Sequence, residues 1–176
     1  MIKVEDVKIN TNQKRKKFNS WKEAEKICES FFTNVRRATE EEDMYEHFDL
    51  IGDFKGMKNV MVDVKSIKRV LRGDSEPNEK YHWVEIQNVR GDVGWLYGKA
   101  DYIAFETLDD FLFVDRTILV EYIKQIPTPE TFPNTPEKRE DIRLNKFYQR
   151  RGRLDTIVLV KTSDLKQMAK YILKKY

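Results

Sequence analysis

The sequence predicts an α/β protein, a mixed central β-sheet flanked by helices, as a single domain over residues 1–176. Three observations predict it. Stretches with helical apolar spacing lie near both ends of the chain. Short alternating or wholly apolar runs, separated by turn residues, fill the middle. The 40% apolar content over 176 residues is enough for one sizeable core.

Residues 1–19 read as a flexible basic lead-in, with Lys14, Arg15, Lys16 and Lys17 together. Ser20 followed three residues later by Glu23 has the form of a capping box. Trp21, Ala24, Cys28, Phe31 and Val35 then recur at helical spacing, widened by Ile27 and Phe32, so a helix is expected to run to about Arg37. The acidic cluster Glu40-Glu41-Glu42-Asp43 follows it. Strands are expected over 45–51 and 59–65, joined as a hairpin through the turn-rich Gly52–Lys58 link. Residues 72–80 read as an exposed loop. Tyr81–Asn88 alternates as a third strand, with His82, Val84 and Ile86 on one face and Trp83, Glu85 and Gln87 on the other.

Glycines 91, 94 and 98 interrupt the stretch around Trp95 and Tyr97. Tyr102–Phe105 and Phe111–Val114 read as two strands around an Asp109-Asp110 turn, and Arg116–Gln125 as a short helix. Residues 127–136 hold four of the five prolines and so form a loop. With the basic stretch that follows, residues 127–153 make one irregular segment. Asp155–Lys161 is a late apolar strand. A last helix, capped by Ser163 or Asp164, is expected to carry Leu165, Met168, Ala169, Ile172 and Leu173.

Charged residues make up 36% of the chain but nearly balance, for a net charge of +3, so nucleic-acid contact depends on local clustering. Residues 137–153 supply such a cluster, seven Lys or Arg against three acids. Arg139, Arg143 and Lys146 recur at near-helical spacing, and Arg150, Arg151 and Arg153 follow. These six suit contact with DNA phosphates, which positions a duplex without reading it; the alternative is a solvated helix face. Cys28 is the only cysteine, which forbids an internal disulfide or a cysteine-based zinc site and fits a reducing compartment. It reads as core packing. The first residues lack the apolar core of a signal peptide, and no run approaches the ~20 apolar residues of a membrane span. A cytoplasmic protein with no membrane partner is expected.

Val60-Met61-Val62-Asp63-Val64-Lys65 carries the chemistry. Along a strand Asp63 and Lys65 point to one face and the three valines to the other. Asp49 lies upstream between Phe48 and Leu50, a costly place for an unpaired charge. Two carboxylates and a lysine can hold a divalent cation and a water beside a phosphate. Mg²⁺ takes oxygen ligands and keeps several waters, so Asp49, Asp63 and the carbonyl of Val64 would suffice as its protein ligands. Lys65 would orient the attacking water and offset phosphate charge. The alternative is a surface strand with a single ion pair. His47 and His82 lack ligand spacing and read as structural or exposed.

Asp49 followed by Asp63-Val64-Lys65, on adjacent strands after an N-terminal helix, resembles the PD-(D/E)XK nuclease superfamily over roughly residues 20–115. Gly94-Trp95-Leu96-Tyr97 and Lys99-Ala100-Asp101-Tyr102 look like segments of its phage and bacterial members. The departure is Phe48 where the motif has proline, a residue that binds no metal. The resemblance implies the restriction-endonuclease-like fold and a Mg²⁺-dependent (or Mn²⁺-dependent) endonuclease acting on DNA, of a Holliday-junction-resolvase, repair or restriction type, in a bacterial or infected host cell. It implies metal binding by Asp49 and Asp63, water activation by Lys65, a further acid (Glu25 of the first helix, with Glu29 of the same helix and Glu85 of the third strand as rivals) and a site glutamine on a following strand, Gln87. Paired incision needs two active sites, so a homodimer is expected. Two other readings stand beside it. One is a catalytically inactive nucleic-acid-binding module of the same fold; the other is a phage accessory interaction protein.

Overall fold

A computed structural model of the chain describes residues 21–176. The basic lead-in over 1–19 and the Ser20 cap lie outside the described residues. Helix α1 spans Trp21–Glu29, β1 Thr33–Arg37, α2 Glu40–Glu46, β2 Leu50–Phe54, β3 Met57–Lys65 and β4 Tyr81–Gln87. After a 3-10 turn at Trp95–Tyr97 come β5 Tyr102–Glu106, β6 Asp110–Asp115 and α3 Arg116–Lys124. A second 3-10 turn at Arg139–Asp141 precedes β7 Phe147–Tyr148, β8 Thr156–Lys161, α4 Thr162–Met168 and β9 Ala169–Lys174. The α/β class with a mixed multi-strand sheet flanked by helices is as expected.

Six strands form the main sheet in the order β1-β2-β3-β5-β6-β9, and three form a smaller sheet in the order β4-β8-β7. Only β3 and β5 run parallel in the main sheet; its other neighbours, and all of the smaller sheet, are antiparallel. Alternation sorts the core into layers. Val60, Val62, Val64, Tyr102, Ala104, Phe111 and Phe113 face α1, where Ala24 and Cys28 meet them. Ile103, Phe105, Leu112 and Val114 face the opposite way, onto α3 and onto Val84, Val158 and Val160 of the smaller sheet. One core therefore holds both sheets. Strands buried on both faces read as continuous apolar runs, which is why β5 and β6 fall where the sequence puts them.

Six expectations need correction. The first helix ends at Glu29, not near Arg37. Three i→i−3 bonds close it (Ser30 to Ile27, Phe31 to Cys28, Phe32 to Glu29), and Asn34 at φ 49° is incompatible with helix. Thr33–Arg37 then pairs with β2 as an edge strand. Phe32 keeps its apolar role by stacking on Phe54, centroids 4.7 Å apart.

Residues 40–46, partly assigned to a strand, form α2. Thr39 and Glu42 make a reciprocal capping box, four acids occupy the positive first turn, and His47 at φ 56° ends the helix. The hairpin is present, but its turn is only Lys55-Gly56. Both lie at positive φ (50° and 82°), as a type I′ turn requires, so Gly52–Phe54 and Met57–Lys58 belong to strands.

Strand β4 has the predicted faces but lies in the smaller sheet; β5 is the parallel neighbour of β3. The last helix stops at Met168. Its N-cap is Lys161, not Ser163 or Asp164, and Ala169–Lys174 extends as β9 along the outer edge of β6. The basic stretch 137–153 is not helical either, having only the short 3-10 turn and β7.

Candidate functional site

The alternation of β3 places Asp63 and Lys65 on the face turned toward the smaller sheet, near the strand's carboxyl end. Lys65 Nζ lies 2.6 Å from Asp63 Oδ1 and 4.6 Å from the centre of the Trp95 ring. The ammonium is thus fixed between a carboxylate and an aromatic face. Asp63 is only 2% exposed, and its Oδ2 is buried with no hydrogen-bond partner. Buried carboxylate oxygens are normally paired, so this atom asks for a proton or a cation.

Asp49 lies next to it because the strand pattern breaks there. Phe48 packs into the layer between the sheets and Leu50 into the layer under α1, so the residue between them is held at the rim. Its amide donates to the Val62 carbonyl at 2.9 Å, and its Oδ2 accepts from the Val64 amide at 2.6 Å. Peptide groups alternate sides along a strand. The Met61 carbonyl accepts from Asp101, on the β5 side, and that of Val62 from Asp49. The Val64 carbonyl therefore also faces the Asp49 side.

Burial, then the neighbouring charge of Asp63, pushes the Asp49 carboxyl up to about 7, against the opposing pull of Lys65 and the Val64 amide. Burial raises Asp63 as well, opposed first by Lys65. Both carboxyls are thus pushed toward the protonated form. A divalent cation would offset their charge and satisfy Asp63 Oδ2, so the residues present fit a Mg²⁺ site of two carboxylates and the Val64 carbonyl. Among the described residues, no group of three or more His, Cys, Asp or Glu side chains is disposed to hold a metal.

Glu25 does not join the pair. It lies on the α1 side of the sheet and forms an ion pair with Arg37 at 3.0 Å; Arg37 also holds Glu29 at 3.2 Å. Glu25 still feels Asp49: burial raises its carboxyl first, Asp49 next, with Arg37 opposing. Gln87 donates to the Gly91 carbonyl at 3.0 Å, a turn contact at the end of β4 in the smaller sheet. Its neighbour Glu85 is closer in effect. Burial raises it most, and Lys65 and then Arg150 pull it back.

The six basic candidates divide. Arg139 is paired with Asp74 at 2.7 Å, and Arg143 donates to the backbone of Glu140 and Ile142. Arg150 is bound to the buried Asp155 and lies 4.0 Å from Glu85. Lys146, Arg151 and Arg153 are exposed and make no salt bridge with a described residue.

Sequence reasoning missed three groups that surround the site. Asp43 on α2 is raised by burial and then by Asp49. Lys68 is lowered by burial and then by Lys65, and it also senses Glu85 and Asp63. Trp95 supports Lys65. Only the closeness of Lys68 to Lys65 in the chain offered a signal. His82 is a neutral core residue packed on Phe105, and His47 is the end of α2; neither belongs to a ligand set. No family model, curated protein or solved structure matches the chain.

Proposed function

We propose that the protein is a Mg²⁺-dependent nuclease that hydrolyses phosphodiester bonds in DNA. One observation carries the reading: the buried, unpartnered Asp63 Oδ2 beside Asp49, with Lys65 bound to the other oxygen of the same carboxylate. The helix, the antiparallel hairpin and the parallel strand β5 beside it support a restriction-endonuclease-like arrangement. Departures from it are Gln87, which lies in the other sheet, and Glu25, which is engaged by Arg37.

Asp49, Asp63 and the Val64 carbonyl would hold the ion. When bound, Mg²⁺ acts as a Lewis acid on the phosphate and lowers the pKa of water. The residues of the chain supply the rest. Asp49 would hold the ion as its carboxylate, the form that burial disfavours when the ion is absent. Lys65, already oriented by Asp63 and Trp95, aims its ammonium at the attacking water and offsets charge that builds on the phosphate oxygens.

Purified protein with Mg²⁺ or Mn²⁺ is expected to cut at least one member of a panel of linear duplex, single strand, flap and four-way junction. Lys65→Ala should lower the rate by about 100-fold or more, with the fold retained by circular dichroism. Full activity in Lys65→Ala and Asp63→Ala would overturn the assignment. The engagement of Glu25 by Arg37 favours a second reading, a module of the same build that binds DNA without cutting it. Salt-sensitive binding with no divalent-dependent cleavage of any substrate would select that reading.

A further inference from the structure

The smaller sheet holds one arginine in a prepared state. Arg150 follows β7 and Asp155 precedes β8, so the two close the base of a hairpin whose turn passes through Gly152 at φ 71°. Asp155 is fully buried. One of its oxygens accepts from the Arg150 amide at 3.1 Å, and the other is bound by the Arg150 Nε. The guanidinium is thereby fixed along one edge, and its far nitrogen lies 4.0 Å from Glu85 on β4. That separation is at the outer limit of an ion pair, so Glu85 sits beside the fork without hydrogen-bonding to it. Glu85 in turn lies within the field of Lys65, and Lys68 senses Lys65, Glu85 and Arg150 together. The line of charge runs from the Asp63–Lys65 pair in the main sheet to Arg150 in the smaller one.

A planar guanidinium with one edge tied to a buried acid still offers its other N–H groups in a geometry that matches phosphate oxygens. Of the six basic candidates, Arg150 alone is tied to a fully buried acid and lies beside Glu85, an acid that senses Lys65. Resting on the nuclease reading, we infer that Arg150 grips a phosphate of the bound DNA strand and that Glu85 occupies its free side until the strand arrives. The second sheet thus supplies a substrate-binding arm to a metal site built on the first, and Glu85 is a competitor that the substrate must displace.

The test is binding of a fluorescently labelled DNA duplex in EDTA, where nothing is cut, read by anisotropy. Glu85→Gln should bind at least threefold more tightly than the parent, whereas Glu130→Gln, an exposed acid elsewhere, should leave affinity unchanged. Arg150→Lys keeps the charge but loses the fork; it should bind at least fivefold more weakly and abolish the gain from Glu85→Gln when the two are combined. A hairpin clamp with only a structural role would not make Glu85→Gln bind more tightly. The inference is overturned if Glu85→Gln behaves like Glu130→Gln, or if its gain persists undiminished in the Arg150→Lys background. If Arg150→Lys proves unfolded by thermal melt, the comparison of Glu85→Gln with Glu130→Gln decides alone. Cleavage is scored separately with Mg²⁺. A parent that binds in this Arg150-dependent way yet never cuts defeats the nuclease reading and leaves the phosphate grip standing; a parent that does not bind DNA overturns the grip.

Discussion

Asp49 is held where its charge is costly. With its carboxyl pushed up to about 7 by burial and by Asp63, the folded protein holds that proton more tightly than an unfolded chain, in which an aspartate titrates near 3.8. Its contribution to stability is therefore full below about pH 3.8 and is lost as pH rises through about 7. Asp49→Asn, which keeps an oxygen for the Val64 amide and removes the charge, is expected to stabilise the metal-free protein at pH 8 by about 1–3 kcal/mol. The same substitution should remove any gain in melting temperature that Mg²⁺ or Mn²⁺ gives the parent. A thermal melt with and without divalent ion measures both, and an Asp49→Asn variant less stable than the parent in EDTA would contradict this account. At this scale much of the site is legible in sequence, since a period of two puts Asp63 and Lys65 on one face regardless of context. The neighbours of the site are not legible. Trp95 and Glu85 reach Lys65 only through the folding of distant segments, and Arg37 engages Glu25 because the chain turns back after α1.

The elements show why local periodicity sufficed in some places and misled in others. Strands β5 and β6 are apolar on both faces, and no amphipathic helix has that pattern. Residues 31–37 and 169–174 carry apolar side chains at separations of three and four, which helix and strand both permit. What decides them is the open edge of a neighbour, β2 for one and β6 for the other, and a single segment cannot show that. The strand assignment of 169–174 has a sharp test. The Lys175 amide donates to Asp109, so along β9 the amides of Leu173 and Tyr171 also face β6, and that of Ile172 faces away. Leu173→Pro should cost about 3 kcal/mol or more by removing a ladder bond, and Ile172→Pro much less, as edge strands tolerate proline on their outward side. Equal losses in urea denaturation would indicate a helix there instead.

The two sheets meet over one core, and His82 lies in that junction. Burial lowers it to about 4, and its Nε2 has no partner. An unfolded chain would protonate this side chain near 6.5, so the folded state loses stability as pH falls from about 6.5 toward about 4, by on the order of 3 kcal/mol. His82→Leu should lack that part of the acid sensitivity; a slope of stability against pH identical to the parent's would refute the role of His82. No helix among the described residues is long and apolar enough to cross a membrane. The order of the strands also has a bearing on biosynthesis. Strand β6 lies inside the main sheet, yet its outer partner β9 is translated after every other described strand. Until residues 169–174 have left the ribosome, the β6 edge is an unpaired apolar template of the kind that recruits other chains. The nascent protein must therefore be sheltered through synthesis of the whole 116–168 stretch, and chains released before residue 169 would aggregate even though both sheets' remaining strands are present.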